Sequence, residues 1–209
     1  MEESVISDAV VKRGLERKTN RMGDATMRGI LDAAKGILIE EGASKFTIGH
    51  IAKQAGVTKG TLLYHFHDKD QLLAYLMDEY VDHLEEKLEE GIATARASAR
   101  YGENTDETVA GFLEWYRRFR KEDASYTAFG TTILAMSAAN DAIRRRAEAW
   151  YESLFAKLRA SNCDDALAVV LMLEGLFFLR HMRLDVTTDE EVEKLLDKAE
   201  HYLSPRSRF

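Results

Sequence analysis

Proline and cysteine are almost missing from this 209-residue chain, which has one of each, Pro205 and Cys163. A lone cysteine excludes a disulfide framework and a thiolate metal site, and leaves a free thiol. A lone proline near the C-terminus breaks no helix elsewhere, and strand-type alternation is scarce, so an all-α protein is predicted. Apolar runs stay well short of a membrane span, and the N-terminus has no apolar signal region, so a cytoplasmic location without membrane contact is expected. Also lacking are a glycine-rich phosphate loop, a Cys/His cluster and a nucleophile elbow. His65 and His67 stand two apart, on different faces of a helix rather than on one metal. No catalytic activity, cofactor or metal is expected.

What is present is a globular balance: 45% hydrophobic and 31% charged residues, with a net charge of −7. An overall negative charge argues at first against a nucleic-acid partner, but its distribution matters more. Residues 12–69 hold eleven Lys/Arg against six Asp/Glu, a local charge of +5, which leaves −12 for the rest. A basic head supplies phosphate attraction, while an acidic body discourages sequence-independent binding.

The informative stretch is residues 46–73. Thr47 is suited to cap a helix on which Ile48, Ile51, Ala52 and Ala55 share one face. Gly56 ends that helix where a left-handed residue is needed. Thr58 then caps a second short helix whose inner side is Val57, Leu62 and Phe66. Its outer side carries Lys59, Thr61, Tyr64 and His65, and Gly60 leaves room for close approach. Such a helix can meet phosphates with a cation and base edges with hydroxyl groups. Lys69 follows the Asp68 cap and adds a cation where helix N-terminal amides already favour an anion. The pattern is a helix-turn-helix followed by the start of a third helix. An ordinary helix hairpin with a glycine turn would explain the turn alone, but not the polar face.

The run Ala52-Lys53-Gln54-Ala55-Gly56-Val57-Thr58-Lys59-Gly60-Thr61-Leu62-Leu63-Tyr64-His65-Phe66-His67-Asp68-Lys69-Asp70-Gln71-Leu72-Leu73 closely resembles the DNA-binding signature of the TetR family of transcriptional regulators. The resemblance implies an all-helical homodimer with a three-helix DNA-binding domain at the N-terminus. It also implies a C-terminal domain that binds a small molecule and thereby reorients the reading heads. Its DNA-contacting roles fall on Thr47, His65 and Lys69 at phosphates, and on Lys59, Gly60, Thr61 and Tyr64 at base edges and backbone; Thr58 joins this set. Leu63 stands where a phosphate-binding tyrosine is frequent in the family, and Gly49 where some members carry a base-reading arginine.

Three segments are expected: a basic N-terminal extension (1–23), the DNA-binding domain (24–73) and a ligand-binding and dimerisation domain (74–209). The extension, with Lys12, Arg13, Arg17, Lys18 and Arg21, reads equally as a DNA-reaching arm or a solvated tail. A support helix runs from Asp24 to Glu41. A long helix starting at Asp68 carries the stripe Leu72, Leu73, Leu76, Tyr80, Leu84, Leu88 and Ile92. Helices are expected over 105–121, capped by Thr105, over 125–139, and from Asn140 to about Ala160. In the last, Trp150, Leu154, Phe155 and Leu158 are assigned to the core and Arg144, Arg145 and Arg146 to solvent. The concentrated aromatics suit either plain core packing or an apolar pocket between helices. The candidate pocket residues are Trp115, Tyr116, Phe119, Phe129, Met136 and Phe177. Residues 164–184 are apolar nearly all round from Ala166 to Leu179, so one face is assigned to the body and another to a second subunit. With a helix at 188–203 this gives a four-helix homodimer interface. Glu174 inside that run reads either as a solvent or interface group or as a pocket carboxylate.

The functional expectation is a ligand-responsive regulator of repressor type that releases a palindromic operator when a small, largely apolar molecule binds. A DNA-binding or architectural protein without a small-molecule input is the competing reading.

Overall fold

The computed structural model describes residues 23–203, apart from 103, 104, 120–123, 162, 164, 183 and 185. Residues 1–22 of the N-terminal extension, and Glu122 and Asp123 of a break expected at Glu122-Asp123-Ala124, therefore lie outside the described residues. Gly23 already belongs to the first helix, and Ala124 begins the helix that follows the break. All regular structure among the described residues is helical: α1 (23–40), a 3-10 turn (Ala43–Lys45), α2 (Ile48–Gln54), α3 (Lys59–His65), α4 (Lys69–Ala97), α5 (Glu107–Phe119), α6 (Ala124–Met136), α7 (Asp141–Ala160), α8 (Ala166–His181) and α9 (Asp189–Leu203). The chain forms two compact units, 1–72 and 73–209.

The first unit is built by local signals. Thr47 has extended backbone and its hydroxyl accepts from the His50 N–H; Thr58 does the same for Thr61. Each satisfies an amide that the first helical turn leaves without a partner. Gly56 between them has φ +67°, a conformation in which a β-carbon is disfavoured. Asp68 caps α4 by accepting from the Gln71 N–H at 2.7 Å, and the Gln71 side chain accepts from the His67 N–H at 2.6 Å. Ile30, Leu38, Phe46, Ile51, Leu62 and Phe66 are fully buried and form the core of this unit. Each contributes on the order of 1.5–3 kcal/mol.

In the second unit, α4 and α5 meet at glycine. A β-carbon on Gly91 would lie 2.2 Å from the Gly111 carbonyl oxygen, and one on Gly111 would lie 2.4 Å from Ile92 Cγ1. No other residue type fits this crossing without backbone movement. Arg117 of α5 reaches α9, where it donates to Glu193 at 2.8 Å and Asp197 at 3.4 Å and also pairs with Glu200. Thr188 and Glu191 cap α9 reciprocally: the Thr188 hydroxyl accepts from the Glu191 N–H, and the Glu191 carboxylate accepts from the Thr188 N–H.

Several expectations are corrected. Asp106, not Thr105, caps α5, accepting from the Val109 N–H at 3.0 Å. α6 stops at Met136, because residues 137–139 turn toward the Asn140 cap of α7. Arg146 is not simply solvated; its guanidinium donates to Asp78 of α4. Phe155 is half-buried rather than part of the core. No described helix is long and apolar enough to cross a membrane.

Candidate functional site

Two sites emerge, one in each unit. In the first, α3 presents an outward ridge. Thr58, Lys59, Gly60 and Tyr64 are exposed, and Thr61 and His65 are half-buried. Tyr64 projects furthest, at 84% exposure, with its ring edge-on to His65 at 5.4 Å. The Thr58 and Thr61 hydroxyls lie 2.9 Å apart, so capping leaves both oxygens at the helix start rather than pointing inward. Lys59 lies across α2, where a β-carbon on Gly49 would meet its Cε at 2.9 Å. The absence of a side chain at Gly49 therefore gives the Lys59 chain its course. Thr47 is exposed at the start of α2, and Lys69 stands at the start of α4 with its ammonium 5.7 Å from the Phe46 ring centroid. The eight residues singled out for DNA contact thus lie at the starts of α2, α3 and α4 or along α3. A group of this kind offers helix N-termini and cations to phosphates, and a phenol and hydroxyls to base edges.

The second unit contains a narrow, partly open cavity among α4, α5, α6, α7 and α8. Continuous room within it is little more than that of a water molecule. Trp115, Tyr116, Phe119 and Phe177 line it, together with Tyr80, Phe112, Trp150 and Tyr151. Phe119 and Phe177 pair at 4.8 Å between centroids, and Trp150 and Tyr151 at 4.7 Å. Two proposed lining residues are placed elsewhere. Phe129 is fully buried against Tyr80, its ring 5.8 Å away, because Gly130 beside it admits the Tyr80 ring. Met136 is the last residue of α6 and does not reach the cavity wall.

The cavity holds one carboxylate, Glu174. Its Oε2 accepts from the Tyr151 hydroxyl at 2.9 Å. Burial raises its pKa to about 7, and the Tyr151 hydrogen bond opposes that rise only in part. Burial, and then the charge of Glu174, push the Tyr151 phenol up as well. Tyr151, like Tyr80, Phe112 and Trp150, lines the cavity without having been singled out for it in the sequence. Its signal was the aromatic pair Trp150-Tyr151 in a helix otherwise rich in charge.

α8 also carries an uncovered apolar face. Leu167, Leu171, Phe178 and Met182 recur at helical spacing with Gly175 between them, all exposed, and Leu171 is 51% accessible. Cys163, ahead of α8, is half-buried, and burial raises its thiol above the ordinary range, away from reactive thiolate character.

Comparison with known proteins follows the same division. Residues 30–76 match a family profile described as bacterial regulatory proteins of the tetR family, and residues 110–203 match a tetracyclin repressor-like C-terminal domain. The transcriptional regulator AcrR of Shigella flexneri is 38% identical over 64 residues, 31% of this chain and 30% of that protein. The matches span about a third of the length of the first curated relatives. A crystal structure of a transcriptional regulator from Streptomyces coelicolor superposes with TM-score 0.67 at 20% identity, covering 86% of this chain and 98% of that one. The multidrug binding protein EbrR, solved with imidazole, gives TM-score 0.63 at 23% identity over 88% of this chain and 98% of its own. These similarities reach both units.

Proposed function

Because the chain belongs to the TetR family of DNA-binding transcriptional regulators, we propose that it is a ligand-responsive repressor whose operator is released when a small, largely apolar molecule enters the cavity of the second unit. The observation that carries this reading is the cavity itself. It is aromatic and narrow, and Met77, Tyr80 and Leu84 of α4 form part of its wall. The N-terminal turn of that same helix holds Lys69.

A cavity with so little continuous room admits an effector only if its walls move apart. α4 is one of those walls, so occupancy favours a different setting of α4 from the empty state. The ligand shifts the equilibrium by its differential affinity for the two settings. In the DNA-bound state Thr47, His65 and Lys69 take phosphates, and Thr58, Lys59, Gly60, Thr61 and Tyr64 meet base edges and backbone. Two copies place their recognition helices one DNA turn apart, roughly 34–36 Å, on a palindrome. The dimer forms through α8 and α9, where the exposed face containing Leu171 and Phe178 needs cover and Gly175 permits close approach. EbrR, of similar fold, is a multidrug binding protein by its own description, which fits a cavity of this kind in the present chain.

The test is fluorescence anisotropy with DNA from upstream of the protein's own coding region. Tight, salt-sensitive binding, lost in the Tyr64→Ala, Lys69→Ala variant and in a Leu171→Glu, Phe178→Glu variant that sediments as a monomer, supports the reading. Retention of full affinity by the first variant refutes the assignment of the α3–α4 surface to DNA.

A further inference from the structure

We propose that the cavity takes an organic cation, an amine or quaternary ammonium on an aromatic or branched apolar body, with Glu174 as its counter-charge. This rests on the cavity being the effector site and names the chemistry of its occupant. Among the described residues that line the cavity, Glu174 is the sole charged side chain. Tyr151 engages Oε2, and Glu174 keeps partial access at the cavity. A carboxylate so largely removed from water gains from a positive charge brought beside it.

The possible occupants differ in what they do for that carboxylate. An anion is repelled by it. A neutral apolar molecule removes its remaining solvent and supplies nothing in return. A hydroxylated neutral molecule repeats what Tyr151 already provides and leaves the charge unbalanced. A cation offsets the charge, and Trp115, Tyr116, Trp150 and Phe177 add electron-rich rings of the kind that attract ammonium groups. The Glu174 charge and the aromatic walls therefore favour the same ligand class.

The experiment compares benzyltrimethylammonium with neopentylbenzene, its neutral carbon isostere, by tryptophan fluorescence and thermal shift on the full-length protein. The cation should bind at least about tenfold more tightly than the isostere, as a partly desolvated ion pair warrants. Glu174→Gln keeps the side-chain shape and removes the charge, and it should abolish that preference. Tyr151→Phe keeps the carboxylate and should retain it, so loss of fold and loss of charge are separated.

Because benzyltrimethylammonium has no titratable proton, the pH dependence of its binding reports the protein. Facing Glu174, the other titratable groups among the described wall residues are the phenols of Tyr80 on α4, Tyr116 on α5 and Tyr151 on α7; α6 contributes Leu134. Affinity should thus rise about tenfold from pH 6 to pH 8 as the competent, ionised fraction of Glu174 grows. Equal binding of the two compounds, or a cation preference that survives Glu174→Gln, overturns the proposal but leaves the cavity as an effector site. Binding of neither compound overturns the effector-site reading together with the proposal.

Discussion

Replacing Glu174 with glutamine should make the protein more stable at alkaline pH, although it removes a hydrogen-bonded native side chain. Burial holds the Glu174 carboxyl at about 7, against an ordinary 4.5. The folded state therefore keeps its proton through a pH range in which the unfolded chain has lost it. Stability contributed by this group is highest below the unfolded value and falls as pH rises toward the folded one. At pH 8 the penalty of ionising Glu174 in the folded protein is about 3 kcal/mol, and at pH 5.5 about 1.4 kcal/mol, from the linkage relation. Glutamine has no such dependence. The stability gap between variant and wild type should thus move by about 2 kcal/mol in favour of glutamine between those two pH values.

Urea unfolding at pH 5.5 and pH 8, at one fixed protein concentration, measures this gap. Concentration must be held because association shifts apparent stability by mass action. Any packing difference between Glu and Gln is the same at both pH values and cancels. A gap that does not change with pH would refute the claim that burial raises the Glu174 carboxyl. A gap that moves toward the wild type would mean that a positive group reaches the carboxylate in solution. Excess benzyltrimethylammonium at pH 8 should restore part of the lost wild-type stability and leave the variant unaffected.

Other perturbations test the frame around the two sites. Gly91→Ala drives a β-carbon into the Gly111 carbonyl and should cost at least about 3 kcal/mol in denaturant unfolding, at the high end of overpacking effects because backbone must move. Gly36→Ala in α1, where a β-carbon meets nothing within 4 Å, should instead stabilise by up to about 1 kcal/mol through helix propensity alone. Thr58→Ala removes the cap of α3 and should lower stability by about 1 kcal/mol, with a larger proportional loss in DNA affinity by anisotropy. Arg117→Met leaves Glu193, Asp197 and Glu200 facing one another without their shared cation. It should cost about 1–3 kcal/mol and raise hydrogen exchange along α9.

What was legible in the sequence is the part of the structure decided within a few residues. Thr47, Gly56, Thr58 and Asp68 act on amides and backbone angles three or four positions away, so the reading unit could be drawn helix by helix from its caps. Thr105 and Asp106 show the resolution limit of that logic. Both can cap, and only the path of the chain into α5 selects the second. The body was legible as helices but not as faces. Arg146 read as solvent-facing because its partner, Asp78, lies 68 residues earlier on another helix. α6 is apolar on most sides, so periodicity could not say which side meets the cavity. Gly130, through the space it leaves for Tyr80, fixes that choice, turning Phe129 into the core and leaving Met136 at the helix end. Glu174 posed the same problem in sharper form. A lone acid in an apolar helix could face solvent, a partner subunit or a pocket, and its own neighbours in sequence are silent on which. Tyr151, 23 residues away on α7, answers by donating its hydroxyl. A cap is decided by the chain on either side of it, whereas a binding site is decided by helices far apart in sequence. The reading head could therefore be assigned from one short run, while the chemistry of the cavity had to wait for the packing of five helices.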